Sequence, residues 1–349
     1  MHKLCIFCGK RPESKNLEHV LPQWLIRETG DPKRIIPLGP DWRSGTLRRF
    51  SFDQLKFPAC SKCNISFSSF EQQAKNVVIE MLGENSLNAR SFDIFLTWLD
   101  KIRVGLWLGY RYLDGDLYGI TPKYYINQRI RNKDRMVLIY KADDSRKGII
   151  FMLVNTPFFA HAPTCFVITI NQFYFVNVST DFLLSRRLGL PFPRKKMMAK
   201  FDPDVTVLDM QEGLERILMP LLRLSYNTNC TEIYQPIISR EIKEWMRRDI
   251  YQRAYIKRFF NYSRIGRLLI KISDNKIVNY PSIKTNIWIP RKAFQRSWAH
   301  YIAVKTALTF HDYLISEAPS TDLLSDEEKK ILLETQLSKG INLRKIRMR

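Results

Sequence analysis

Cys5-Ile6-Phe7-Cys8 and Cys60-Ser61-Lys62-Cys63 are two C-x2-C pairs with 51 residues between them. Each pair can present two thiolates from one knuckle. Two such knuckles make the tetrahedral four-thiolate site that structural Zn2+ prefers. Gly9, directly after the first pair, suits the tight turn a knuckle needs. A redox role is the competing reading of any C-x-x-C. Two pairs among only six cysteines favour the metal. The other two, Cys165 and Cys230, read as plain buried thiols.

The interval is longer than the ~15–20 residues of a simple zinc ribbon, so it holds an inserted element. Near its start runs Leu17-Glu18-His19-Val20-Leu21-Pro22-Gln23-Trp24. At its end the second knuckle continues as Cys63-Asn64-Ile65-Ser66-Phe67-Ser68-Ser69-Phe70-Glu71. The ordered set of C-x2-C, Glu-His-Val-x-Pro and C-x2-C-Asn, followed by an aromatic and a Glu, resembles the HNH endonucleases. These are zinc-stapled ββα-metal (His-Me finger) nucleases. The resemblance covers about residues 3–75.

The resemblance implies roles residue by residue. His19 matches the general base, which suits a group titrating near neutrality. Glu18 matches a ligand of the catalytic divalent ion, and Asn64 matches the ligand at the start of the following helix. An oxygen-preferring ion, Mg2+ or Mn2+, would stabilise charge on the phosphate and the leaving oxygen. Adjacent strand residues face opposite sides, so Glu18 and His19 need a bent or bulged strand to share a site. Asn64 also reads as a helix cap. Glu71 reads as a metal ligand, an Arg partner or a complement to a helix N-terminus. Trp24 and Pro22 read as packing.

The pattern also departs from the family. No Asn stands a few residues before the second knuckle, where only Asp53 or Gln54 could substitute, and no Gly-Gly follows the Glu-His-Val-x-Pro segment. The alternative to an endonuclease is therefore a catalytically inactive, zinc-stapled subunit that binds nucleic acid or docks a partner.

Charge points the same way. The chain of 349 residues carries 56 Lys and Arg against 34 Asp and Glu, a formal net charge of +22. Such a surplus favours a polyanionic partner. Residues 240–305 alone hold 16 basic and 4 acidic side chains, interleaved with aromatics. Arg247, Arg248, Arg253, Lys257, Arg258, Arg264 and Arg267 offer phosphate contacts beside stacking rings. An acidic protein partner competes for this region. Arg43, Arg48, Arg49 and Lys62 could grip the strand near the cutter. The expected substrate is nucleic acid, DNA ahead of RNA, with a protein partner or self-association available for activation. Family association adds restriction or antiviral phage defence as the setting.

Hydrophobic residues make up 45% of the chain, which excludes a disordered polymer. No apolar run approaches the ~18 residues of a membrane span, and the N-terminus does not read as a signal peptide. A reducing, cytoplasmic setting is expected, where paired cysteines are metal ligands more often than disulfides.

The positioning elements follow from periodicity. Helices are expected from Glu71 to about Met81 and from Asn88 or Ser91 to Leu108. Residues 136–142 and 148–154 read as a hairpin. Segments 164–170 and 172–178, parted by Asn171, read as a sharp turn or one bulged strand. Helices are expected again at 211–226, 237–260, 293–317 and 325–338, with a strand pair near 267–273 and 276–282. The fold class is α+β: an HNH domain over 1–83, a middle domain with antiparallel strands over 84–196, and a mainly helical basic domain over 197–349.

Overall fold

A computed structural model describes residues 4–13, 16–40, 46–51, 56–114, 125–130, 133–180, 192–199, 202–211, 230–236, 269–273, 276–279, 286–287, 290, 292–316 and 333–334. The described chain is α+β. It opens with β1 (Leu17–His19), α1 (Gln23–Glu28), β2 (Ile35–Pro40), β3 (Leu47–Ser51) and β4 (Lys56–Pro58). Strands β1 and β4 pair antiparallel, as do β2 and β3. The insertion between the cysteine pairs is thus α1 and a second hairpin carried on the β1–β4 hairpin. Arg34 closes α1, donating to Thr29 Oγ1 at 2.6 Å and Ile26 O at 3.1 Å.

Two long helices follow, α2 (Ser61–Leu82) and α3 (Ala89–Asp114), with β5 (Leu87–Asn88) between them. Helix α2 buries Ala74, Val77, Val78 and Met81, a helical stripe. The Asn88 side chain accepts from the Ser91 backbone N–H at 2.9 Å and so caps α3. Helix α3 is the central spine, with Phe92, Phe95, Trp98, Leu99, Ile102 and Trp107 buried.

Gly105 and Gly109, one helical turn apart, set how close α3 comes to the first hairpin. A Cβ on Gly109 would lie 2.7 Å from the Phe57 ring, and one on Gly105 would lie 2.9 Å from Val20 Cγ1. Alanine gains ~1 kcal/mol over glycine in a helix, but overpacking a filled interior costs about 1–3 kcal/mol. Gly109→Ala is therefore expected to lower the chaotrope midpoint. A midpoint that holds or rises would mean that Phe57 can move aside.

The middle of the chain supplies α4 (Ile126–Arg129), β6 (Asp134–Lys141), β7 (Ile149–Met152), α5 (Pro157–His161), β8 (Cys165–Ile170) and β9 (Phe173–Thr180). Beyond these come β10 (Phe192–Ala199), β11 (Asp202–Gln211), β12 (Thr231–Gln235), β13 (Leu269–Ser273), β14 (Lys276–Asn279), β15 (Asn286–Ile287) and α6 (Arg296–Ser316). One sheet of seven strands has the order β14-β13-β12-β6-β9-β8-β7, with every neighbouring pair antiparallel.

Alternation along the strands divides the core. Val137 and Ile139 of β6, Phe166 and Ile168 of β8, and Phe173 and Phe175 of β9 join one cluster with α3 and the cysteine knuckles. Met136, Leu138, Tyr140, Val167, Tyr174 and Val176 join a second with Ala299, Ala303, Ala307 and Phe310 of α6. The sheet is covered on both faces, which is why its strands read as continuous apolar runs rather than alternating ones.

Asn171 adopts φ 53° and turns β8 sharply into β9, so the turn reading holds and the bulge does not. The hairpin expected of 136–142 and 148–154 does not form. The tight turn at Asn171 pairs β8 with β9, β9 takes all eight residues of β6, and β7 falls at the far edge beside β8. Strands β12, β13 and β14, from beyond residue 196, enter the same sheet as β6. Of the helices expected at 211–226, 237–260 and 325–338, only Gln211, which ends β11, and residues 333–334 lie within the described residues. The strand pair near 267–282 is β13–β14, and the helix expected over 293–317 is α6.

Candidate functional site: four cysteines beside a bridged carboxylate pair

Cys5 and Cys8 sit on a knuckle before β1, while Cys60 and Cys63 bracket the start of α2. Their four sulfur atoms all lie within 4.8 Å of one another, with Cys8 and Cys60 Sγ 3.8 Å apart. Backbone contacts build the first knuckle. Cys5 N–H donates to Lys10 O and Gly9 N–H to Cys5 O, each at 2.8 Å. Gly9 has φ +74°, and a Cβ there would overlap the Tyr125 ring. Ile6 N–H donates to Pro58 O at 3.0 Å, tying the knuckle to β4. Ile126 and Asn127 N–H donate to Ile6 O and Phe7 O, so α4 clamps it from the other side.

The sulfurs are arranged for a cation. Burial raises the Cys5 thiol pKa, but backbone N–H groups of Cys60, Cys8 and Phe7 outweigh it and leave the pKa below the usual value. The Cys60 N–H, for one, points at Cys5 Sγ from 3.3 Å. Cys60 and Cys63 are pushed up to about 12, by burial first and then by the neighbouring sulfurs. A metal such as zinc removes that mutual repulsion, and the donor set of four converged thiols fits it. Among the described residues no other group of three or more His, Cys, Asp and Glu converges.

Glu18 and His19 lie on β1, opposite Phe57 and Lys56 of β4. The register is unbroken, so the adjacent side chains leave the strand on opposite faces. No bulge within Leu17–His19 brings them together. Asn64 lies in the first turn of α2, half-buried, its N–H bonded to Cys60 O at 3.0 Å. Phe67 and Glu71 follow it at helical spacing on one stripe, and Phe67 stacks on Phe7 with centroids 4.3 Å apart.

The cation beside Glu18 is supplied by the chain itself. Lys101 of α3 lies with its Nζ 2.7 Å from Glu18 Oε1 and in ion-pair contact with Glu71 Oε1. Its side chain is only 1% exposed. Burial alone would lower the Lys101 pKa, but the carboxylates of Glu71 and Glu18 more than offset this, so the ammonium stays charged. Trp24 Nε1 donates to Glu71 Oε2 at 3.3 Å, so both oxygens of Glu71 are engaged. Trp24, read as packing, does pack on Trp98 but also makes this polar contact. Sequence reasoning missed Lys101 altogether. Its only local sign is a cluster of charges, Asp100, Lys101 and Arg103, inside a largely apolar helical run.

A second buried network anchors α3 to the sheet. Asp100, Arg103 and Arg135 are each 0% exposed. Asp100 accepts from Arg103 at 2.7 Å and Arg135 at 3.2 Å, and Arg135 also donates to Thr97, Asp93 and Gln235.

The basic residues divide by position. Lys62 in the first turn of α2 and Arg49 on β3 are exposed, and Arg48 also lies on β3. Arg43, Arg247, Arg248, Arg253, Lys257, Arg258, Arg264 and Arg267 lie outside the described residues, as do Asp53 and Gln54. Among the described residues no helix is long and apolar enough to cross a membrane. No family model, no curated protein and no solved structure matches this chain.

Proposed function

We propose that the chain is an HNH-type endonuclease that hydrolyses phosphodiester bonds of nucleic acid, DNA in preference to RNA. One observation carries the reading. A hairpin (β1–β4) runs into a helix (α2) across four converged cysteines, with Glu18 and His19 on the first strand and Asn64 in the first turn of the helix. This is the element order that the sequence resemblance calls for. In this reading His19 takes the proton of the attacking water, and Zn2+ at the four cysteines holds strand and helix in place. Exposed Arg49 and Lys62 contact the phosphate backbone, which positions a strand without reading its sequence. The resemblance also assigns Mg2+ or Mn2+ to Glu18 and Asn64, with Glu71 as a further ligand. The geometry offers that ion no open carboxylate pair, because Lys101 already joins Glu18 to Glu71.

That bridge favours a second reading, in which the same scaffold binds nucleic acid or a partner without cutting. Incubating matched DNA and RNA with wild type and His19→Ala, with and without divalent ions, separates the two. Loss of a general base costs roughly 10²–10⁴-fold in rate, so His19→Ala is expected to cleave at least a hundredfold more slowly than wild type. Substrate left equally intact by both proteins under every condition supports the module that binds without cutting, whereas equal cleavage removes His19 from the chemistry. A setting in antiviral defence belongs to this proposal through the family association alone.

A further inference from the structure

Glu18 of β1, Glu71 of α2 and Lys101 of α3 meet in one largely buried ion-pair cluster. One oxygen of Glu18 and one of Glu71 both lie on the Lys101 ammonium. Two aromatic rings flank the ammonium. Lys101 Nζ lies 5.7 Å from the Phe7 ring centroid and 5.9 Å from that of Phe67. Ring faces attract an ammonium. A hard divalent ion instead demands about six oxygen ligands at ~2.0–2.1 Å and does not take ring carbon. Both oxygens of Glu71 are already engaged, the second by Trp24 Nε1 at 3.3 Å. Glu18 and Glu71 are 14% and 12% exposed, so water has little room to complete a coordination shell. The three partners come from elements far apart in sequence, and the first of the two rings stands between Cys5 and Cys8.

We propose that the Lys101 ammonium is the resident cation of this carboxylate pair, and that Glu18 and Glu71 are not ligands of a divalent ion. The ammonium takes the position between strand and helix that a metal would fill, and it links both to α3 and to the cysteine knuckle. A divalent ion that serves cleavage must then be held without this pair. The inference goes beyond the nuclease reading and stands whether or not the chain cuts, because its readout is ion binding.

The experiment uses the full zinc-loaded chain and a Mn2+ titration followed by electron paramagnetic resonance. Wild type, Glu18→Gln and Glu71→Gln are expected to bind Mn2+ with affinities equal within twofold. Lys101→Met is expected to gain no Mn2+ site, because the Phe7 and Phe67 rings and the Trp24 contact to Glu71 remain. A tenfold or greater fall in wild-type affinity on Glu18→Gln or Glu71→Gln overturns the proposal. So does a folded Lys101→Met that gains a Mn2+ site which Lys101→Met/Glu18→Gln loses. If circular dichroism shows that Lys101→Met does not fold, the two glutamine variants decide the question alone. Failure of the nuclease reading shows separately, as substrate left intact by wild type and His19→Ala alike.

Discussion

Cys60→Ala is expected to abolish metal binding at the four cysteines and to destabilise the molecule well beyond its first 70 residues. Four-thiolate zinc sites contribute folding free energy outright, with apparent values of about 10–16 kcal/mol in small zinc-binding peptides at neutral pH. A whole domain is typically stable by only ~5–15 kcal/mol. The knuckle residues Cys5, Ile6 and Phe7 belong to the same buried cluster as α3 and one face of the large sheet. Loosening them exposes that face as well. The expected result is a loss of one zinc per chain by metal analysis and a fall of at least 10 °C in the thermal midpoint. A chelator should produce the same fall in wild type. The effect is pH-dependent with a definite sign. Binding requires thiolates, and Cys60 and Cys63 sit near 12 without the metal. Zinc capture therefore releases protons, and occupancy must drop as pH falls. A midpoint indifferent to chelation would show that the four thiols pack without metal.

Asp100→Ala should be the most damaging single change away from the cysteines. The carboxylate stands between two guanidinium groups, those of Arg103 and Arg135, and all three residues are excluded from water. Its removal leaves two buried cations with the half-buried Asp93 as the remaining acid of the network. Breaking a buried ion pair by deleting one partner costs about 3–5 kcal/mol, because the orphaned charge cannot be hydrated. The urea midpoint of Asp100→Ala is expected to drop accordingly, and Asp100→Asn, which keeps shape and some hydrogen bonding, should lie between it and wild type. Equal midpoints for Asp100→Ala and wild type would mean that water reaches the guanidiniums.

Much of the site was legible because its signals are local. The C-x2-C spacing is a property of one knuckle, and two knuckles in the order seen leave few alternatives to convergence. The stripe of Ala74, Val77, Val78 and Met81 marks α2 by period alone, and Asn171 marks a turn by its tolerance of positive φ. What escaped was long-range. Lys101 lies 83 residues from Glu18 and 30 from Glu71, and no spacing rule links them. Arg135 meets Gln235 from 100 residues away. The hairpin of 136–142 with 148–154 was misread for a related reason. Chain neighbours looked like sheet neighbours, although β6 pairs with β9 and β12 instead. Buried charges are also hard to read from sequence, since Arg103 and Arg135 look like surface residues until the fold encloses them.

The place of β12 in the sheet bears on how the chain is made. Strand β6 has β9 along one side and β12 along the other. Its first neighbour is complete at Thr180, whereas the second ends at Gln235. A ribosome adding ~5–20 residues per second leaves one margin of β6 without its partner for several seconds. Throughout that interval Met136 to Tyr140 present an apolar strand with open N–H and C=O groups, the kind of template that recruits other chains. The nascent protein is therefore most exposed to aggregation while residues 181–235 emerge, and a truncation ahead of Thr231 would make that exposure permanent.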